Sequence, residues 1–147
     1  MNLLYRIINP AVKGILRSLL HGMMSNNTMV LSYRGQRSGR AFELPISYAQ
    51  IDGDLYAFTA KSGQWWRNFM NQGDASVLVG GQNLEATVSA LSDSGEDLAL
   101  QLARFLQLVP RDAKPAGVRM RQGQAVESDV VAAAQNLVGL RFKIKQH

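Results

Sequence analysis

VLSYRGQRSGRAFELPISYAQIDGDLYAF, Val30 to Phe58, holds two turn signals between runs that read as strands. "DGD" at Asp52–Asp54 is a tight hairpin signal, because aspartate and glycine accept the positive φ that a two-residue turn demands. "LYAFTA" resumes as a strand after it. Pro45 has no backbone N–H to give to a ladder, so its strand belongs at a sheet edge or a bulge. The other joint, Arg34 to Arg40, is richer than a hairpin needs, with arginines at 34, 37 and 40 and glycines at 35 and 39. Links this short cannot carry a crossover, so the strands are antiparallel.

Outward from that stretch, "TMVLSYRG" alternates loosely from Thr28. "AKSGQWWRNFMNQGDA" reads as a loop and a short helix over Trp65–Met70. "SVLVGGQNLEATVSAL" is a hairpin turning at Gly80-Gly81-Gln82-Asn83, and "SDSGEDLALQLARFLQLVP" is the clearest helix, with a capping box available at Ser94 and Asp97 and Pro110 as its stop. Residues 111–127 read as a loop, Ser128 as the cap of a short helix through Asn136, and "LVGLRFKIKQ" as a final strand. Before all of this, "NLLYRIINPAVKGILRSLLHGMM" reads as helix, broken or bent at Asn9-Pro10. The order predicts an α+β chain whose antiparallel sheet closes on itself and is completed by the terminal strand. Residues 1–147 form one domain in this reading, with residues 1–25 as an N-terminal amphipathic helical segment.

Composition agrees with a globular chain: 147 residues, 46% hydrophobic and 18% charged, with no cysteine and hence no disulfide or thiolate chemistry. The net charge of +5 is segregated. Residues 1–42 carry six cations and no acid, residues 43–110 are net acidic, and the tail is basic again. Such a stretch faces an anionic ligand or a membrane more readily than it decorates a surface, and the overall excess is too small for nucleic acid to lead. No apolar run is long enough to span a membrane. Arg6, Asn9, Pro10 and Lys13 interrupt the first apolar run, so no signal peptide is expected and a cytoplasmic location is the default. The N-terminal helix ordinarily packs on the domain, and a basic amphipathic helix also lies on membrane surfaces or covers a pocket.

Chemistry has few carriers. Gly35 and Gly39 let successive amides turn towards one point, while Arg34, Arg37 and Arg40 add forked charge suited to phosphate or carboxylate and Ser38 adds a hydroxyl. On spacing alone, a soluble basic hairpin accounts for the joint as well as an anion site does. A second loop, Lys61-Ser62-Gly63, precedes the aromatic turn of Trp65, Trp66 and Phe69 beside Arg67 and Asn68. Amides at that turn are available to an anion. The tryptophan pair is more often core or interface than a stacking platform. His21 and His147 are the two histidines, one in the N-terminal segment and one terminal, so histidine acid–base work and a metal site are not expected. Any reaction here must come from a bound cofactor.

"LSYRGQRSGRAFELPISYAQIDGDLYAFTAKSGQWWRNF", with "GDASVLVGG" and "ATVSAL", resembles the deazaflavin-dependent nitroreductase family of split β-barrel flavin and deazaflavin oxidoreductases. The ordered set is Gly35, Ser38, Gly39, Pro45, Ile46, Asp52, Gly53, Lys61, Ser62, Gly63, Trp65 and Asn68, spread over most of residues 28–92. "NPAVKGILRSLLHG" is also similar to the family's N-terminal helix. The family often has Ser-Lys-Gly-Gly at the second loop and Asn-Pro after the short helix. This chain has Ala60-Lys61-Ser62-Gly63 and Gln72-Gly73.

The resemblance implies a barrel that binds 8-hydroxy-5-deazaflavin coenzyme, or in related branches FMN, and passes hydride to a quinone, nitro compound or similar small-molecule acceptor. It implies that Gln36, Arg37, Ser38, Gly39 and Arg40, with Lys61, Ser62 and Gly63, hold the phosphate and acidic tail. Pro45, Ser47, Trp66 and Asn68 would border the ring, with Tyr48 placing or protonating the acceptor. It also implies a homodimer, with Trp65 offered to the interface. The alternatives are the same barrel with FMN or another flavin or tetrapyrrole-like ligand, and a non-catalytic anion- or lipid-binding barrel.

Overall fold

The structure, a computed structural model, describes residues 27–91 and 96–145. The helix read over residues 1–25, the cap at Ser94 and both histidines lie outside the described residues.

Seven strands form one antiparallel sheet: β1 (Thr28–Arg34), β2 (Ala41–Ser47), β3 (Ala49–Ile51), β4 (Asp54–Ala60), β5 (Gly73–Val79), β6 (Gln82–Leu91) and β9 (Leu137–Ile144), in the spatial order β2-β1-β5-β6-β9-β4-β3. The two ends of that order are consecutive in sequence. β2 pairs with β1, and after Tyr48 the chain continues as β3 and pairs with β4. A sheet whose two edges are halves of one bent strand must curl round on itself, as the sequence predicts. Pro45 sits on β2, opposite Val30 at an end of the order, where its missing N–H leaves no ladder bond unmade. The terminal strand β9 lies in the middle, between β6 and β4.

The turns form where glycine signals stand. Asp52 and Gly53 have φ of 54° and 88°, and Gly80 and Gly81 have φ of 56° and 81°. β6 therefore starts at Gln82, so the last two residues of the turn read from sequence, Gln82 and Asn83, belong to the strand.

Alternation divides the side chains between two cores. Inside the curl, Met29, Leu31, Leu44, Val77, Val88, Leu140 and Phe142 pack with Trp65, Trp66 and Phe69. On the outside of β3 and β4, Ala49, Ile51 and Tyr56 pack beneath helix α1 (Glu96–Leu108) through Leu98, Leu102, Phe105 and Leu106. Residues read as a loop hold structure of their own. A 3-10 turn (Pro110–Asp112) leads into a short helix α2 (Ala113–Ala116), and a two-residue hairpin pairs β7 (Met120–Arg121) with β8 (Gln124–Ala125). These pieces are too short for periodicity to reveal. Helix α3 (Glu127–Ala134) begins after Val126, with no side-chain cap, so Ser128 is not its cap. Among the described residues, no helix is long and apolar enough to cross a membrane.

Candidate functional site

The β1–β2 loop is closed by its own backbone. Gly35 N–H donates to Arg40 O and Gly39 N–H to Gly35 O, both at 2.9 Å. Gly39 takes φ of 68°, a conformation that glycine adopts without cost. Arg34 donates through Nη1 to Gly39 O at 2.9 Å, so this arginine is spent on the loop. Ser38 Oγ accepts from Arg40 N–H at 3.2 Å. Arg37 is different: neither its amide nor its guanidinium has a hydrogen-bond or ion-pair partner among the described residues, and it is exposed. The exposed Arg40 guanidinium is likewise unpaired there.

Asn68 joins this loop to the aromatic turn Trp65–Phe69. Gln36 N–H donates to Asn68 Oδ1 at 2.9 Å and Gln36 Nε2 donates to Asn68 O at 2.7 Å. Asn68 Nδ2 in turn donates to Trp65 O at 2.8 Å. The asparagine read as a ring contact is thus committed to holding two segments together. The turn folds back onto β5 because residue 73 is glycine: a Cβ there would stand 3.0 Å from Phe69 and 3.3 Å from Asn68 O.

The second loop is tied to the same turn. Trp66 Nε1 donates to Lys61 O at 3.1 Å, and Gly63 N–H donates to Ala60 O at 3.0 Å. Lys61 Nζ donates to Gln135 O at 3.1 Å, at the C-terminal end of α3, where the helix dipole favours a cation. Ser62 gives its carbonyl to Gln64 Nε2 at 3.4 Å. The two cationic loops and the aromatic turn therefore share one mouth of the curled sheet.

Both tryptophans are core residues. Trp65 and Trp66 are 5% and 6% exposed. Trp65 packs against Tyr33 and Phe69, with ring centroids 6.3 and 6.5 Å away. That burial corrects the reading of Trp65 as an interface residue, because its ring is enclosed by its own barrel. The Arg67 guanidinium carbon stands 5.5 Å from the Trp66 ring centroid.

Ser47 and Tyr48 lie at the other end of β2, about 20 Å from Ala41 at strand rise. They also diverge: Tyr48 packs against the barrel core, whereas Ser47 follows the outward register of Pro45 and Glu43. Only an elongated ligand meets both Tyr48 and the loop. Partial burial raises the Tyr48 pKa above the ordinary tyrosine value, so the phenol keeps its proton at neutral pH.

A groove of about 340 Å³ starts at Arg34 and Ala41 and runs over the outer face of β2, β1, β5 and β6. Glu43, Asp74 and Glu85 line it with Ser32 and Ser76. Three carboxylates do not suit a phosphate. The residues that fit an anionic tail are those of the loop, where Arg37 and Arg40 present unspent charge. Among the described residues, no group of His, Asp or Glu side chains could hold a metal ion.

No family model matches the chain, and no curated protein sequence does. Solved structures do resemble it. A conserved hypothetical protein from Mycobacterium tuberculosis superposes with a TM-score of 0.59 at 17% identity, covering 99% of this chain and 86% of that one. The general stress FMN/FAD binding protein from Xanthomonas citri gives 0.55 at 15% identity, covering 91% and 86%. An FAD-binding protein from Mesorhizobium loti gives 0.52 at 18% identity, covering 99% and 94%. The fold is a split β-barrel.

Within that barrel, sequence reading found both loops and the aromatic turn by their glycines and cations. It missed Arg111, which reaches the bend at Tyr48 from beyond α1. No local pattern marks it: its partners are more than sixty positions earlier in the chain.

Proposed function

We propose that this chain is a flavin-binding split barrel that positions the ring for hydride transfer to an organic acceptor. The observation that carries the reading is the Asn68 tie, which holds the Gly35–Arg40 loop against the aromatic turn and leaves Arg37 and Arg40 unpaired at the barrel mouth. Two solved structures of this fold are described as FMN/FAD-binding and FAD-binding proteins, which favours a flavin. A bound flavin supplies the two-electron chemistry that these side chains lack.

The chain's own residues bind and orient. Arg37 and Arg40 grip the phosphate with charge-assisted hydrogen bonds, and the Arg37 amide adds a neutral donor. Pro45 and Ser47 border the extended path along β2. Tyr48 retains its proton and offers it to the acceptor.

A second reading keeps the barrel and replaces the flavin with the deazaflavin coenzyme. The ordered residues from Gly35 to Asn68 favour it, as does the number of arginines, which suits a longer acidic tail. Purified protein titrated with FMN and, separately, with the deazaflavin coenzyme, followed by ring fluorescence, discriminates the two. Submicromolar FMN binding is expected. Tighter deazaflavin binding selects the second reading, and binding of neither leaves an anion- or lipid-binding barrel.

A further inference from the structure

The bend between β2 and β3 is held from outside the sheet. At Tyr48 the strand changes partner, and its peptide groups need bonds that neither ladder supplies. Asn27 supplies them: Tyr48 N–H donates to Asn27 O at 2.9 Å, and Asn27 Nδ2 donates to Tyr48 O at 3.3 Å. Asn27 itself stands at φ of 63°, a left-handed conformation that asparagine tolerates and that a hydrogen-bonded neighbour braces here.

Arg111 is that neighbour. Its Nη2 donates to Asn27 O at 3.0 Å and to Thr28 Oγ1 at 2.7 Å, and reaches Ser47 Oγ at 3.4 Å. Asp112 Oδ1 stands 3.8 Å from its Nε. Thr28 is 7% exposed, and Arg111 is the donor that its hydroxyl meets among the described residues. Docking of the helical layer does not require the contact, because Leu102, Phe105, Leu106 and Val109 already bury α1 and its end against the sheet.

We propose that Arg111 is a positioning residue for Tyr48 and Ser47: by clamping Asn27 it fixes the β2–β3 bend and, with it, the opposite faces to which the Tyr48 and Ser47 side chains turn. The consequence for catalysis rests on the flavin-barrel reading; the clamp itself does not. The guanidinium also sets polarity. With a cation against its oxygen, Ser47 turns its hydroxyl hydrogen away, and that hydrogen is free to donate to a ligand carbonyl or ring nitrogen.

The test uses the full chain, with and without FMN, and the variants Arg111→Met and Arg111→Lys. Without FMN, amide exchange at Tyr48 should quicken about tenfold in Arg111→Met while amides of α1 and β5 keep their rates. The Tyr48 phenol should titrate nearer the ordinary value, read by difference against Tyr48→Phe. Arg111→Lys, which keeps charge and stem but not the fork, should fall between the two and serves alone if the methionine variant does not fold. With FMN bound, kcat should drop about tenfold with little change in FMN affinity, as misplacement of a reacting group predicts. Unchanged exchange and titration at Tyr48 in a folded Arg111 variant overturns the proposal. A loosened Tyr48 in a protein that binds no FMN supports the clamp and removes the flavin reading instead.

Discussion

At the residue scale the barrel mouth turns on which cations are already spent. Arg34 is bonded to Gly39 O and Lys61 to Gln135 O, whereas Arg37 and Arg40 are unpaired among the described residues. Arg37→Ala and Arg40→Ala should each cost about 1.5–3 kcal/mol of FMN binding by calorimetry, the worth of a hydrogen bond to a charged group. Losses within about 0.5 kcal/mol would return both to the surface of a soluble hairpin. A different pair contributes to the acid response. The Arg119 side chain and amide donate to Asp129 and hold its carboxyl down to about 2. A depressed folded value means that the contribution is present above the unfolded carboxylate range and fades as pH falls towards about 2. The melting difference between wild type and Asp129→Asn should therefore be flat near neutrality and close in strong acid. A difference that instead grows on acidification would contradict this pairing.

At the element scale, the hairpins and strands were readable because each rests on local chemistry. Asp52-Gly53 and Gly80-Gly81 adopt the positive φ that their residues permit, and Pro45 lies where a missing donor is harmless. The stretch from Arg111 to Glu127 was not readable. A four-residue helix and a two-residue hairpin leave no period, and their stability comes from contacts such as Val118 N–H to Ala113 O and Arg119 to Asp129. Asn68 is a site residue by resemblance, and its geometry makes it a strut between elements. Asn68→Ala removes the bonds to Gln36 N–H and Trp65 O. It should cost about 1–2 kcal/mol in denaturant unfolding, the sum of two modest net hydrogen bonds. The same variant should weaken FMN binding by loosening the loop. Full FMN affinity in a destabilised Asn68→Ala would separate the strut from the site.

For the whole molecule, the helical layer must approach the sheet closely at one place. Gly139 on β9 lies where an added Cβ would stand 3.1 Å from Leu98, 3.2 Å from Phe58 and 3.6 Å from Leu91. Gly139→Ala should cost about 1–3 kcal/mol through overpacking, seen as a lower melting temperature with the barrel mouth unaltered. A neutral substitution would mean that α1 shifts freely on β9. By itself, the sequence determined the antiparallel plan, the turns and the two cationic loops, because backbone sterics and two-residue periodicity act between near neighbours. Only the tertiary structure decided that Lys61 spends its charge on α3, that both tryptophans are enclosed, and that Arg111 clamps the bend at Tyr48. Those outcomes depend on residues tens of positions apart meeting when β2 and β3 bring the sheet round, and no local pattern records such a meeting.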